Sequence, residues 1–252
     1  MTQQKNLFYS DPDLTEIRSS IIGVRQHAFG TAVALDQNIV RAAGDGEPRD
    51  VGEIGEMPIR SVEKQDGMTW IAFEDRQDRY SVGDVVNLRV DAGHRDSRRR
   101  LHTGVHLAIR CACNHFGDIR ITEAEIAEDA ISARVVGKVD RPVDKADVGF
   151  VDRAMRSAVL KAYPVTSINA KSVEHAERKF GPLFRVSDRH AFKGKVRLVC
   201  MDNLDVNPCG GLHHPDTNIG AYEMKADLTD AASGVFDIKI NLAQCWMYWC
   251  GD

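Results

Sequence analysis

Two short segments, His102-Thr-Gly-Val-His106 and Cys209-Gly-Gly-Leu-His213, constrain this chain more than any other feature. On a helix, the i, i+4 spacing of His102 and His106 sends both imidazoles from one face, one turn apart. In the second segment a Gly-Gly turn lets the backbone fold tightly enough to aim a thiolate and an imidazole inward together. Two imidazoles from one segment, and a thiolate with an imidazole from another about a hundred residues away, make the nitrogen and sulfur set that zinc prefers. The expectation is therefore one zinc site with His102, His106, Cys209 and His213 as ligands. The fold must bring two remote stretches to one point.

The remaining pattern predicts an α+β fold with two domains. Residues 1–95 read as β-rich. Short apolar runs at Gly30–Leu35, Asn38–Val40, Met68–Phe73 and Val85–Val90, broken by Gly67 and Gly83-Asp84, suggest a small N-terminal barrel-like domain with a glycine-rich loop over 43–52. Residues 96–252 read as an α+β domain with a mostly antiparallel sheet and the zinc site. Its first helix is expected to be N-capped by Asp96 or Ser97, to run through Asn114 and to stop at Gly117. Gly104, between the two histidines, costs such a helix roughly 1 kcal/mol relative to Ala. A substrate groove or close packing would explain it. Strands are expected at Ile119–Ile121 and Ile131–Val139 around the acidic stretch Glu123–Asp129. A helix is expected over Lys145–Ala162, a strand at Val196–Cys200, and a closing hairpin from Ile219–Lys225 and Val235–Ile240. Ser172–Lys179 is ambiguous.

Composition limits the classes of function. Six irregularly spaced cysteines in 252 residues do not make a secreted disulfide framework. Cys111 and Cys113 are expected to be structural. The aromatic segment between Cys245 and Cys250 is expected to close onto the core or an oligomer partner. The N-terminal residues show no basic region before an apolar one, and no apolar run approaches the roughly 20 residues of a membrane span. A cytoplasmic protein with no membrane partner is expected. A formal net charge of -4 does not advertise nucleic-acid binding. Arg95, Arg98, Arg99 and Arg100 nevertheless crowd the approach to His102, and read either as phosphate contacts or as a solvated helix start offset by Asp91 and Asp96.

With these motifs in place, the chain resembles the editing domain of alanyl-tRNA synthetase and its freestanding AlaX-type trans-editing relatives, a superfamily that includes the editing domain of threonyl-tRNA synthetases. That family carries an HxxxH helix and a later CGGTH loop in the same order. A degraded counterpart of its GGGQP-type loop and following D-x-G stands at Gly44-Asp-Gly-Glu-Pro48 and Asp50-Val-Gly52, and Thr217-Asn-Ile-Gly220 resembles its T-x-E-I-G segment. The resemblance covers roughly residues 30–240. It implies hydrolysis of the ester joining a wrong amino acid, typically serine or glycine, to alanine tRNA. Gly46, Glu47 and Leu212 fall at its catalytic-pocket positions, while Gly44, Thr103, Gly104 and Arg99 are expected to border the substrate.

Departures from the family pattern fall in the pocket, not on the metal. Glu47 replaces a Gln, and Leu212 replaces the Thr of CGGTH, removing a hydroxyl where a seryl side chain would be read. An aminoacyl-tRNA partner is the leading expectation. The alternatives are a hydrolase of a small amino-acid ester or amide that no longer uses tRNA, and a binding module in which zinc only staples the fold. Because four protein ligands close a tetrahedron, His213 is expected to be loosely held, with His214 as its substitute. Glu47 is a candidate general base. Asp205 reads as a solvated loop residue or as an orienter of a ligand histidine.

Overall fold

The computed structural model describes residues 4–75, 79–186, 191–228 and 230–243; Cys245, Cys250 and the aromatic residues between them lie outside that range. The architecture mixes helices with mostly antiparallel sheets, and its backbone contacts divide the chain into two compact units, 1–98 and 99–252. The division falls inside a helix, three residues beyond the expected boundary.

The first unit holds β1 (Lys5–Asn6), β2 (Glu16–His27), β3 (Gly30–Leu35), β4 (Gln37–Asn38), β5 (Gly52–Ile54), β6 (Met57–Gln65), β7 (Met68–Phe73) and β8 (Val85–Val90). Six of these close into a barrel in the order β2-β3-β7-β6-β5-β8. In β8 the alternation is complete: Val86, Leu88 and Val90 are buried, and Val85, Asn87 and Arg89 face out. The inward set joins Ile21, Val33, Leu35, Ile54, Ile71 and Phe73 in one apolar core. Gly52 lets β5 approach β8, because a Cβ there would lie 2.1 Å from the Arg89 carbonyl oxygen. The 12-residue β2 is missing from the sequence expectation. Its polar residues lie between the apolar ones, and no long apolar run marks it.

The helix α1 (Ala92–Phe116) begins four residues before the expected cap. Asp91, not Asp96 or Ser97, fills that role, with its carboxylate accepting the His94 N–H at 2.8 Å. The helix stops as expected at Gly117, whose φ of 81° suits glycine.

The second unit continues with β9 (Arg120–Ile126), β10 (Ser132–Lys138), α2 (Lys145–Lys161), β11 (Val165–Ala170), α3 (Val173–Phe180), β12 (Val196–Met201), β13 (Asp205–Pro208), β14 (Tyr222–Asp227) and β15 (Val235–Leu242). A four-stranded sheet runs β14-β15-β10-β9, and a three-stranded sheet runs β11-β12-β13. The acidic stretch expected to separate two strands is in fact half strand: Glu123 and Glu125 lie in edge strand β9, pairing with Val136 and Arg134. On α1, Leu101, Val105, Ala108, Cys111 and Ala112 pack with Val135, Ile238 and Ile240 in the main core of this unit, so Cys111 is structural, as expected. Ala170, Val173, Ala176, Leu198 and Val206 form a smaller core under α3.

Two substitutions test this description. Gly137 pairs with Phe236, and a Cβ there would sit 2.3 Å from the buried ring. Gly137→Ala is therefore expected to destabilise the fold by about 1 to 3 kcal/mol, read as a lowered thermal midpoint. Asp147 closes a capping box with Asp144 at the start of α2 and accepts from Arg141 at 2.8 Å and from His115 at 2.7 Å. Arg141, helped by His115 and the Asp144 backbone, outweighs burial and holds the Asp147 carboxyl well below its ordinary 3.8. A depressed folded value makes the contribution complete above about pH 4 and erodes it as pH falls further. Asp147→Asn is expected to lower stability at pH 7 by about 1 to 3 kcal/mol. The gap between the denaturant midpoints of wild type and variant should narrow progressively as pH is lowered below about 4.

Candidate metal centre

Four side chains of the second unit meet at one buried point. One ligand atom from each of His102, His106, Cys209 and His213 lies within 4.8 Å of every other. Helix α1 supplies the first two, one turn apart, with ring centroids at 5.0 Å. The loop after β13 supplies the other two. The Cys209 Sγ stands 3.5 Å from His102 Nε2 and 3.4 Å from His213 Nε2. A tetrahedral ion at ordinary Zn–N and Zn–S lengths requires neighbouring donors about 3.3 to 3.8 Å apart. The observed sulfur–nitrogen separations match that edge.

Protonation also fits. Burial alone pushes the Cys209 thiol up, but the charge and hydrogen bonds of His102, with those of His106 and His213, hold it well below its ordinary value. Burial, reinforced by His102, drives His213 down to about 3, which leaves a neutral imidazole. A thiolate beside neutral imidazole is what a metal needs of its ligands. His106 Nδ1 is buried without a hydrogen-bond partner among the described residues. Three imidazoles and a thiol buried this close together make a nitrogen and sulfur donor set that fits zinc.

Neighbouring groups hold the donors. The Gly211 N–H points at Cys209 Sγ from 3.3 Å, which the Gly-Gly turn permits and which favours the thiolate. Arg197 on β12 donates to the carbonyls of Cys209 and Gly211 at 2.8 and 2.9 Å. Thr103 Oγ1 lies 3.3 Å from His213 Nδ1 and accepts the His214 N–H at 3.1 Å, while Arg99 Nε donates to the His213 carbonyl at 2.8 Å. His213 is therefore not the loosely held member the sequence analysis expects. Nor does His214 replace it: the His214 ring turns to the Asp216 carbonyl at 3.0 Å.

Other expectations need correction. Gly104 is buried and lines no groove, because a Cβ there would lie 3.0 Å from Ile219 Cδ1. Close packing explains the helical glycine. Thr103 and Arg99, expected to border substrate, are buried and hold the metal loop instead. Asp205 is neither solvated nor on a ligand histidine; it is 1% exposed and meets Arg185 at 3.2 Å and Arg110 at 3.8 Å. Leu212 is buried between the donors of its loop.

In the first unit, Gly44-Asp45-Gly46-Glu47 is a tight hairpin. Gly44 and Glu47 exchange backbone hydrogen bonds at 3.0 and 3.1 Å, and positive φ at Asp45 and Gly46 gives the primed turn that an Asp-Gly pair favours. Glu47 is buried with its carboxylate 2.6 Å from Arg41 Nη1. A carboxylate gripped by a guanidinium is a poor proton acceptor, which removes the support for Glu47 as general base. Arg95 and Arg98 are also buried, within 2.6 and 2.8 Å of the Asp50 carboxylate. Arg100 donates to the Ile219 carbonyl. With Arg99 buried as well, the arginine run provides neither a solvated helix start nor a phosphate contact at Arg95, Arg98 or Arg99. Sequence reasoning missed this pairing because Asp50 lies 45 positions from Arg95.

No family model matches the chain. Among curated proteins it is 33% identical to the alanyl-tRNA editing protein AlaX-M of Pyrococcus horikoshii over 104 residues, 41% of this chain and 46% of that protein. The AlaX-L protein of the same organism is 25% identical over 218 residues, 84% of this chain and 52% of its own length. The chain is thus similar to alanyl-tRNA editing proteins. The alanine–tRNA ligase of Methanococcus aeolicus is 25% identical over 217 residues, 86% of this chain. The chain spans about a quarter of that ligase and about half of the AlaX proteins.

Removing one donor separates this geometry from incidental packing. His106→Ala and Cys209→Ser are expected to purify with far less than one equivalent of zinc, measured by elemental analysis against wild type. Thr103→Val should remain folded and bind zinc about tenfold to a hundredfold more weakly in chelator competition.

Proposed function

We propose that this chain is a zinc-dependent hydrolase of the aminoacyl-tRNA editing type, removing serine or glycine from mischarged alanine tRNA in trans. The convergence of His102, His106, Cys209 and His213, in a relative of alanyl-tRNA editing proteins, carries this reading. Zinc held by these four would supply Lewis acidity only by expanding to take the ester carbonyl or an attacking water as a fifth ligand.

The chain's own residues determine how that chemistry is presented. Helix α1 fixes His102 and His106 by its backbone periodicity. Thr103 and Arg99 hold His213 from its ring and its carbonyl, and Arg197 holds the two carbonyls that set the Cys209 turn. Such a preorganised donor set needs no rearrangement as charge develops on the substrate. Within the first unit, the Glu47–Arg41 ion pair preserves the shape of the glycine hairpin.

A second reading, hydrolysis of a small amino-acid ester or amide, draws on Leu212. This buried apolar side chain stands where the family places a hydroxyl. One panel tests both readings: seryl-, glycyl- and alanyl-tRNA beside the corresponding amino-acid ethyl esters, with and without chelator. The proposal expects faster release from seryl- or glycyl-tRNA than from alanyl-tRNA, abolished by chelator and restored by zinc. Turnover of the ethyl esters with intact aminoacyl-tRNA would overturn it in favour of the second reading. Restoring the hydroxyl with Leu212→Thr is expected to raise the seryl-to-alanyl rate ratio about tenfold or more.

A further inference from the structure

The overall acidity of the chain hides a strongly basic lobe. Residues 161–200 carry nine Lys and Arg against three Asp and Glu, whereas the whole chain carries 33 against 37. This segment contains β11, α3 and β12. Its small apolar core is Ala170, Val173, Ala176, Phe184, Val196, Leu198 and Val206. Packing α3 on the sheet leaves the cations outside: Lys161, Lys171, Arg178, Lys179, Lys193 and Lys195 are all exposed. None of the six forms an ion pair among the described residues.

The strand register places these cations. Ala170 pairs with Val196, so Lys171 and Lys195, the next residue along each strand, sit side by side at one end of the ladder. At the other end Val165 pairs with Met201, and Lys161 lies just before β11. Lys179 is near enough to Cys200 for its charge to act on that thiol, so it too belongs to the second end. Aromatic rings accompany the charges: Lys179 lies over Phe180 at 4.9 Å, Lys161 over Tyr163 at 5.8 Å, and Phe192 is 37% exposed. Exposed cations interleaved with aromatic rings suit a sugar-phosphate backbone with unstacked bases beside it. The lobe is joined to the metal centre by Arg197, the β12 residue that donates to the Cys209 and Gly211 carbonyls.

We infer that the exposed face of the α3–β11–β12 lobe docks the phosphate backbone of RNA. Because Arg197 couples the lobe to the metal loop, RNA seated there is registered against the four donors. This inference deepens the proposed function and rests on RNA being the substrate carrier.

The test measures binding of an unacylated alanine-tRNA transcript by full-length protein across a KCl series. Two double variants, Lys171→Glu/Lys195→Glu and Arg178→Glu/Lys179→Glu, are compared with Lys138→Glu/Lys239→Glu, whose exposed residues lie on the four-stranded sheet. Zinc stoichiometry and circular dichroism establish that each variant is folded. Each lobe variant is expected to bind about tenfold or more weakly, with the slope of log K against log salt reduced by roughly 1 to 2, while the control pair binds as wild type. Folded lobe variants with wild-type affinity and slope would overturn the inference. If they still deacylate seryl-tRNA, the proposed function survives that loss. Wild-type protein that ignores the transcript yet hydrolyses amino-acid ethyl esters would remove both. Capture by phosphatidylserine vesicles in place of the transcript would overturn the docking surface as an RNA site.

Discussion

Burying three imidazoles and a thiol within 4.8 Å of one another is the constraint around which the second unit is arranged. Desolvating polar groups is costly unless each finds a partner. A metal ion at their centre would satisfy all four, and the surrounding residues keep that centre closed. Gly104 lets Ile219 and Ile240 close over α1. Thr103, Arg99 and Arg197 direct their polar atoms at the loop and away from solvent. The result resembles a small structural site in its closure, yet the chain is similar to proteins named for an editing reaction.

The first unit solves a related problem without a metal. Arg41, Arg95 and Arg98 are among its largest fully buried side chains, and Asp50 and Glu47 are buried with them. Asp50 accepts the Arg41 backbone N–H at 2.7 Å in addition to meeting two guanidinium groups. Removing one partner of such a set strands the others in a low dielectric, which is far costlier than the set is stabilising. The Asp50 and Glu47 carboxylates therefore pin both sides of the glycine hairpin. Here the replacement of a family Gln by Glu47 acquires a physical sense: an anion is matched to Arg41.

The metal donors were legible because each half of the motif is local, and because helix periodicity and a Gly-Gly turn both act over four residues. The strands of the barrel were legible where apolar alternation was clean, as in β8, and not where charged residues interrupt it, as in β2. Strand β9 was misread because Glu123 and Glu125 occupy an edge, where one face meets water and acidic residues are tolerated. The arginine run stood out as a cluster, but its burial depended on Asp50, a partner no local pattern could supply. Leu212 drew attention only through the resemblance, since burial alone singles it out no more than its apolar neighbours.

The loop between Cys209 and His102 has a further consequence for the life of the molecule. The two donors stand 107 positions apart, so an ion seated between them closes a very long excursion of chain and counts fully toward the folded state. Were zinc that ion, a chain deprived of it would open more often than a loaded one. Housekeeping proteases that act on opened chains would clear it first, and the abundance of the protein would follow zinc supply.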